Sequence, residues 1–288
     1  MVKHWNSYYL YYTIDADHLL REIVHPTVLD IQQKLEKEVK FFFIRYFENG
    51  YHIRLRMFLS AEESAQFLPL LKKHISIYKD LYKTDLSWKE AQYIPETERY
   101  GNTDTIAHAE SQFHATSRFV LHHLVNNSTL TDSERYLLAM KTHLIFFKGM
   151  GLSPNCCQQV CNRFIQSWLP LPFSENQEEQ EKNRKSLLAA FQVQFEAYQA
   201  LLCENLSIFL DSLNTAADPF AAELLETNHR VKKKYAHAQL PSEAVDEAFL
   251  SFIHMTNNRI GIVNAEESYL LFLIMKTIPL LKDYDKQL

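Results

Sequence analysis

The chain has 288 residues and a mass of 33.9 kDa, enough for one large domain or two modest ones with proper hydrophobic cores. A hydrophobic content of 47% with 23% charged residues is ordinary for a soluble globular protein and argues against intrinsic disorder. The net charge of −5 and the isoelectric point near 6.2 argue against general binding to nucleic acid or to membrane surfaces.

The first hundred residues alternate between strand and helix periodicity, in the order β-α-β-β-α-β. A strand at NSYYLYYTI precedes a capped helix that Pro26 is expected to kink or break. An Asn-Gly hairpin follows, then a helix that opens with Ser60 and Glu63 in capping-box spacing, then an extended segment at LSWKEAQYIPE. This order predicts a ferredoxin-like sandwich over residues 1–102, in which helices cover one face of an antiparallel sheet.

Beyond Gly101 the pattern changes to long helical stretches separated by short polar breaks. The stretches span residues 103–126, 131–150, 153–168, 176–214, 217–237, 242–257 and 264–283. Residues 103–288 are therefore predicted to form a helical bundle that packs with the first portion, so that the whole chain is α+β. The polar run SENQEEQEKNRKS is interpreted as a loop that enters a solvated helix.

The hairpin segment FFFIRYFENGYHIRLRMFL carries four cationic or potentially cationic side chains. A two-residue type I′ turn at Asn49-Gly50 would place Arg45 opposite Arg54. Because side chains alternate along a strand, one face of the hairpin is then apolar and the other basic. The apolar face would hold Phe42, Ile44, Tyr46, Ile53, Leu55 and Met57. The basic face would hold Arg45, His52, Arg54 and Arg56.

Like charges opposite each other destabilise a hairpin by a few tenths to about 1 kcal/mol. A solvated face of mixed charge is the simpler interpretation, but no acidic residue occupies this face within the hairpin. The basic face therefore favours an anion site, where planar guanidinium groups bind a carboxylate or a phosphate in bidentate geometry.

Other motifs argue against several common chemistries. The five glycines form neither of the usual nucleotide-phosphate loops, and neither the HExxH nor the GxSxG motif occurs. The four cysteines are spaced like buried thiols rather than like a disulfide framework or a zinc knuckle. They are Cys156, Cys157, Cys161 and Cys203. The sequence also lacks an apolar run of the roughly 18 residues that a membrane helix needs, and it lacks a signal peptide, so a cytoplasmic location is expected.

Histidines near the start of the helical portion are candidate metal ligands. His108 and His114 flank Glu110 on a predicted helix, and His122 is followed by His123. A structural role is the commoner one for a histidine on a helix, so a metal site is not expected here.

Two further segments present charged side chains. ETERYGN could bring Arg99 near the hairpin arginines, and the alternative is a surface ion pair with a glutamate of the same segment. SFIHMTNNRIG places His254, Asn258 and Arg259 at the end of an apolar helix. For His254, helix capping and proton exchange both stay open.

Five segments occur along the chain in the order found in one enzyme family: HWNSYYLYY, FFFIRYFENGYHIRLRMF, YIPETERYGN, AESQFHATS and FIHMTNNRIGI. The sequence resembles the C-terminal elimination domain of LanB-type lantibiotic dehydratases, a domain that also occurs alone as the thiopeptide-type bacteriocin biosynthesis protein. The resemblance spans nearly the whole chain, and the combination of FIRY, HIRLR, ERYG and HMxxNR is specific.

The resemblance implies a lyase that needs neither a metal nor an organic cofactor. In these dehydratases a separate domain uses glutamyl-tRNA to esterify Ser or Thr side chains of a precursor peptide, and the elimination domain then expels glutamate. Dehydroalanine or dehydrobutyrine is left. This chain would perform only the second step, on a glutamylated precursor peptide, beside a separate glutamylation protein. Direct contacts with nucleic acid or membrane are not expected, and a homo-oligomer stays open.

The resemblance also implies roles for individual residues. Arg54 and Arg56 of HIRLR, Arg99 of ERYG and His254 of HMxxNR would be catalytic. The arginines would hold the glutamyl group and the developing negative charge, and His254 would exchange a proton. The predicted substrate-binding residues are Arg45, His52, Asn258 and Arg259.

Two positions depart from the family pattern. Pro95 occupies a position that is often basic in relatives, which weakens the assignment of Arg99. Relatives also tend to carry an aspartate near Ala115.

Two other functions stay open at this point. Some members of thiopeptide pathways join two dehydroalanines in a formal 4+2 cycloaddition that forms a pyridine. Because a cycloaddition has no glutamate to bind, the retained arginines and His254 favour elimination. The third interpretation is a non-catalytic module that binds the precursor peptide.

Overall fold

The structure is a computed structural model that describes residues 2–13, 15–169, 176–282 and 284. The chain is mostly helical and divides into two compact units, Met1–Thr131 and Asp132–Leu288. Four residues of the predicted elements lie outside the described part. They are Ile14 of the first predicted strand, Ser174 and Glu175 of the polar loop, and Asp283 of the last helical stretch.

The first unit contains a four-stranded antiparallel sheet with the strand order β2-β3-β1-β4. The strands are β1 (His4–Tyr11), β2 (Phe41–Tyr46), β3 (His52–Leu59) and β4 (Ser87–Ala91). The helical elements are α1 (Ala16–Leu19), a π-helical turn (Leu20–Val24), α2 (His25–Leu35), α3 (Ala61–Tyr82), a 3-10 turn (Glu98–Tyr100) and α4 (Ile106–Asn126). Up to β4, strands and helical segments follow one another in the order that the sequence predicts.

Pro26 does not break the first helical segment. It is the second residue of α2 and follows the π-helical turn directly. A proline cannot supply the amide of a regular helical bond, and the wider hydrogen-bond spacing of a π turn accommodates that loss. The backbone is therefore helical without interruption from Ala16 to Leu35.

The core of this unit lies between α3 and one face of the sheet. The buried residues on that sheet face are Tyr8, Leu10, Phe41, Phe43, Ile53, Leu55, Met57 and Leu59. Tyr8 packs on Phe67 of α3, with ring centroids 5.1 Å apart. The start of α3 is fixed by the predicted capping box, in which the Glu63 amide donates to Ser60 Oγ and the Ser60 amide donates to Glu63.

The β2–β3 connection is longer than predicted. Asn49 and Gly50 both take positive φ, at 61° and 103°, as the Asn-Gly pair suggested. The Gly50 amide, however, donates to the Phe47 carbonyl at 3.1 Å, and residues 47–51 connect the strands. The register consequently differs by one residue from that of a two-residue turn.

This shift corrects the predicted faces of the hairpin. Arg45 pairs with Ile53 and Arg54 pairs with Ile44, so the prediction that Arg45 and Arg54 share a face was wrong. Because side chains alternate, a shift of one residue moves the whole of β2 to the opposite face. The residues Phe42, Ile44 and Tyr46 lie on the side of Arg54. Arg45 lies on the other side and forms an ion pair with Asp17, 2.5 Å away.

The first unit extends beyond residue 102, where the sequence placed the boundary between the two portions. Helix α4 belongs to it because α4 packs on β2. The Phe43 amide donates to Ser117 Oγ at 3.2 Å, and Phe42 contacts Phe113 at a centroid distance of 5.4 Å. These contacts pair the sheet with a helix that the sequence assigned to the bundle.

The described part of the second unit contains helices and the turns that join them, and no strand. Its helices are α5 (Asp132–Gly149), α6 (Pro154–Trp168), α7 (Gln177–Asn214), α8 (Pro219–His237), α9 (Ser242–Ile260) and α10 (Asn264–Thr277), and a 3-10 turn (Ile278–Leu280) follows. These bounds lie within three residues of the predicted ones at the starts of the helices, and α10 packs against α5, α6 and α7. None of the helices in the described part of the chain has the length and hydrophobicity needed to cross a membrane.

A buried polar contact joins α5 to α9. His143 Nε2 donates to Asn257 Oδ1 at 2.8 Å, and both residues are fully enclosed. Burial lowers the pKa of His143 from 6.5 to about 4, because the charged imidazolium would lose its hydration. His143 is therefore neutral in the folded protein at neutral pH.

We expect this histidine to make the fold sensitive to acid. Between pH 6.5 and about 4 the unfolded chain binds a proton that folded His143 does not, so the free energy of unfolding falls as the pH falls. The contribution is about 1.4 kcal/mol per pH unit, or roughly 3 kcal/mol in total. Urea unfolding followed by circular dichroism should show a shallower pH dependence for His143→Gln. Equal slopes for the two proteins would contradict the prediction.

The position of Arg45 can be tested by stability. Asp17→Asn should lower the free energy of unfolding by at least about 2 kcal/mol, because it removes the carboxylate charge that pairs with the partly buried guanidinium of Arg45. The double variant Asp17→Asn/Arg45→Met should recover much of that loss. Asp30→Asn, at a more exposed carboxylate that contacts His74 and Lys73, should cost less than about 1 kcal/mol. If Asp17→Asn has a negligible effect on the free energy of unfolding in urea, the ion pair between Arg45 and Asp17 is contradicted.

Candidate active site

Strand β3 directs His52, Arg54 and Arg56 to one side of the sheet, and we call these three residues the arginine face. Their partners on β1 are Tyr11, Tyr9 and Ser7, and their partners on β2 are Tyr46, Ile44 and Phe42. The three residues thus lie side by side along the middle of the sheet, between rows of mostly aromatic side chains.

Arg54 is held by aromatic rings and by a histidine. Its guanidinium carbon lies 3.3 Å from the ring centroid of Tyr46 and 4.8 Å from that of Tyr9. Its Nε donates to His52 Nε2 at 3.2 Å. Cation–π contacts of this kind stabilise an arginine by roughly 0.5–2 kcal/mol and leave its outer nitrogens available. Arg54 takes part in none of the ion pairs of the described residues.

His52 orients Arg54. Its Nδ1 donates to the Gly50 carbonyl at 2.7 Å, which leaves Nε2 as the acceptor for Arg54. Burial and then the positive charges of Arg54, Lys89 and Arg56 lower the pKa of His52. A neutral imidazole in this tautomer fixes the guanidinium of Arg54. The exposed fraction of His52 is only 1%.

Arg56 is a buried cation without a carboxylate partner among the described residues. Its exposed fraction is 6%, and its guanidinium lies between the rings of Phe42 (5.4 Å) and Tyr93 (5.1 Å). One nitrogen donates to the Arg54 carbonyl at 3.3 Å, and Nε has no hydrogen-bond partner. Desolvation lowers the pKa of Arg56 to about 10, so the group stays charged at neutral pH. A buried charge is costly unless it is paired, so this site is suited to an anion.

Arg99 lies on the 3-10 turn that follows β4. Its Nη1 donates to Glu96 at 2.9 Å, which is the ion pair that the sequence left as the alternative. The pKa of Arg56 is lowered mainly by desolvation, and the negative charge of Glu96 offsets part of that lowering. The segment that carries Arg99 and Pro95 is therefore within electrostatic reach of the arginine face.

The other predicted substrate-binding residues occupy different environments. Arg45 lies on the opposite side of the sheet, with Asp17. Arg259 is fully buried in α9, where Nη1 donates to the Met255 carbonyl at 2.9 Å. Asn258 is half-buried in the last turn of α9.

Histidines of α4 contact the main chain. His114 Nδ1 lies 2.8 Å from the Phe41 carbonyl oxygen, and His123 Nδ1 lies 2.9 Å from the Phe119 carbonyl oxygen. These contacts occupy one ring nitrogen of each histidine and fit the structural role.

In the second unit His254 is paired with a buried carboxylate. Its Nδ1 lies 3.0 and 3.1 Å from the two oxygens of Glu267 on α10, and Glu267 is 1% exposed. Asn257 Nδ2 donates to the same carboxylate at 3.2 Å. The ring of Trp168 stacks on the imidazole, with centroids 4.3 Å apart. Three elements, α6, α9 and α10, thus fix the imidazole.

This geometry suits proton transfer. A carboxylate that accepts from Nδ1–H selects one tautomer and stabilises the imidazolium, while Nε2 remains for a substrate. The side chain of His254 is 20% exposed, so that nitrogen can be reached. The capping interpretation does not apply, because α9 continues to Ile260 and ends at Gly261, which has a φ of 91°.

Sequence reasoning missed Glu267, Asn257 and Trp168. Asn257 could have been found, because it follows His254 by three residues and shares its helix face. Glu267 lies 13 residues after His254 and beyond a helix break, and Trp168 lies on another helix. No local pattern relates these positions, so the packing of the helices was needed to find them.

Comparisons with solved structures show the same fold in three proteins. The chain is similar to the tRNA-dependent lantibiotic dehydratase MibB from Microbispora sp. 107891, with 16% identity and a TM-score of 0.62 over 95% of this chain and 28% of MibB. It is similar to TbtD, a pyridine synthase from thiomuracin biosynthesis, with 12% identity and a TM-score of 0.65 over 95% of this chain and 97% of TbtD. It is also similar to TsrL, with 13% identity and a TM-score of 0.61 over 98% and 96% of the two chains.

The chain therefore spans little more than a quarter of the length of MibB. No curated protein matches the sequence significantly. The sequence profile described as lantibiotic biosynthesis dehydratase C-term matches residues 5–278, which is nearly the whole chain. Together with the shared fold, this match shows that the chain belongs to the lantibiotic biosynthesis dehydratase C-terminal family.

Proposed function

We propose that this protein eliminates glutamate from glutamylated Ser or Thr side chains of a ribosomally made precursor peptide, leaving dehydroalanine or dehydrobutyrine. The observation that supports this function is the buried guanidinium of Arg56, which has no carboxylate partner among the described residues, beside Arg54. A glutamyl group brings the missing carboxylate. Membership of the dehydratase family makes elimination the reaction class to test first.

The reaction needs a stabilised leaving group. A base removes the proton from Cα of the Ser or Thr residue, the electron pair forms the Cα–Cβ double bond, and the Cβ–O bond breaks. Glutamate leaves as a carboxylate, so negative charge grows on it as the bond breaks. Fixed cations stabilise that growing charge more in the transition state than in the bound ester, which accelerates the step.

In this proposal Arg54 and Arg56 hold the glutamyl group. Their positions are set by the sheet and by the rings of Tyr46 and Tyr93, so little reorganisation is needed when an anion binds. Arg99 is proposed as a third cation, since the Glu96 to which it is paired already interacts with Arg56.

His254 is proposed to exchange the proton. The buried Glu267 orients the imidazole and would balance its charge when Nε2 takes up the Cα proton. General acid–base groups placed in this way contribute on the order of 10²–10⁴-fold to a rate.

The proposed reaction needs a partner protein that prepares the esterified peptide. Glutamyl-tRNA would be used by a separate glutamylation protein in the cytoplasm, and this chain would meet only the esterified peptide. We further propose that the first unit is a ferredoxin-like sandwich, which its strand order and its β-α-β-β-α-β segment support.

Pyridine formation is the second candidate function. The likeness to TbtD favours it, and so do the aromatic rings beside the arginine face, on which planar heteroaromatic groups could stack. It leaves the buried charge of Arg56 without an assigned partner, which is why elimination is preferred.

One assay separates the candidates. The protein is incubated with a synthetic peptide that carries a glutamyl-Ser ester and, separately, with a multiply dehydrated thiazole peptide, and the products are weighed by mass spectrometry. We expect loss of glutamate from the first peptide and no change in the second. Arg56→Met should lower kcat/KM for elimination by about 100-fold or more.

Arg118→Met is the matched control, since it removes an arginine of the same unit that pairs with Glu38. It should leave the rate of glutamate loss near that of the wild type. Ring formation in the second peptide would establish cyclisation instead, and inertness toward both peptides would leave a binding module.

The role of the Glu267 carboxylate gives a separate prediction. Glu267→Gln should lower kcat for elimination by roughly 10²–10⁴-fold, and His254→Gln by a similar factor, because either change disables the oriented base. Combining the two should cost little more than one alone. Glu266→Gln, at the position of α10 directly before Glu267, should retain most of the activity. A Glu267→Gln protein that is folded by circular dichroism and fully active would exclude the proposed role.

A further inference from the structure

Ser7 occupies the centre of the sheet on the arginine face. In the strand register it lies opposite Arg56 on one side and opposite Ala91 on the other. Its exposed fraction is 3%, and its Oγ has no hydrogen-bond partner among the described residues. Such an arrangement is unusual, since a buried serine hydroxyl normally bonds to a nearby main-chain group.

A second buried donor without a hydrogen-bond partner lies on Arg56, which pairs with Ser7 in the strand register. Arg56 Nε is also buried without a partner, and side chains directly opposite each other in an antiparallel pair have Cβ atoms about 4.5–5.5 Å apart. A single ligand atom can therefore bridge the two groups. The opposite neighbour, Ala91, carries only a methyl group, so no bulky side chain of β4 covers the hydroxyl from that register position.

The donor chemistry defines the ligand. Arginine Nε–H can only donate, and a serine hydroxyl donates to the same acceptor when no other acceptor is available. An oxygen with two lone pairs and negative charge satisfies both groups, and a carboxylate oxygen has these properties. A backbone N–H group cannot accept from either donor, and a cation would be repelled by the guanidinium.

The ring of Tyr93 controls access to this position. It lies 5.1 Å from the Arg56 guanidinium and is only half-buried. Residues 92–96, which carry it, belong to no strand or helix. Because both donor atoms are buried, a ligand oxygen can reach them only if this ring moves away from Arg56.

We propose that Ser7 Oγ and Arg56 Nε together bind one carboxylate oxygen of the glutamyl group, which makes Ser7 a catalytic residue of the elimination site. This assignment rests on the proposed function. It names a hydroxyl donor that neither charge pattern nor motif indicates, and it places the glutamyl carboxylate over β1 and β3, on the arginine face of the sheet.

Stability and binding of Ser7→Ala test the proposal together. Because the hydroxyl is unpaired in the unliganded protein, its removal should leave the melting temperature unchanged or slightly raised. Titration with free L-glutamate, followed by calorimetry, should show a Kd at least about 10-fold weaker than that of the wild type. The rate of glutamate loss from the glutamyl-Ser peptide should fall by a similar factor.

Thr116→Val is the matched control. Thr116 lies on α4, is fully buried, and its hydroxyl is also without a hydrogen-bond partner. Its removal should likewise not lower the melting temperature, but glutamate binding should be unchanged.

The outcomes separate this inference from the proposed function. If the wild type eliminates and binds glutamate and Ser7→Ala does both equally well, the role of Ser7 is overturned and elimination stands. If the wild type binds L-glutamate in a Ser7-dependent manner but does not process the ester, the carboxylate site stands and the proposed function fails. A wild type that does not bind L-glutamate, or a Ser7→Ala variant that loses several degrees of stability, overturns the site.

Discussion

A guanidinium that is buried without a carboxylate partner among the described residues is the constraint on which the proposed chemistry depends. Arg56 cannot give up its proton at neutral pH, even though desolvation lowers its pKa to about 10. Aromatic rings on either side stabilise the charge only partly. The fold therefore maintains a positive site that is incomplete until an anion arrives, and such incompleteness is tolerated where it serves binding or catalysis.

The sheet makes this site rigid. Arg56 and Arg54 are alternate residues of β3, which is a central strand with β1 and β2 on either side. Rings from both neighbouring strands then enclose the Arg54 guanidinium. Catalysis by fixed charge requires that the charges do not reorganise during the reaction, and a central strand satisfies this requirement better than a loop.

The second unit provides a different kind of electrostatic pair. Glu267 is almost fully buried, and its charge is shared by His254 and the Asn257 amide. In the first unit the guanidinium of Arg56 has no carboxylate partner among the described residues. In the second unit the carboxylate of Glu267 is already paired with the imidazole of His254. A stabilised leaving group and a proton acceptor are the two features that the proposed elimination requires.

The sequence by itself determined the secondary structure, because periodicity, the Ser60–Glu63 capping box and the helix-ending glycines are local signals. Its motifs also identified the family. Tertiary structure alone decided which charges act together. The hairpin loop differs by one residue from the expected turn, and that difference separates Arg45 from Arg54. Likewise Glu267 reaches His254 only through the packing of α10 on its neighbours, and long-range contacts of this kind leave no periodic trace in a single sequence.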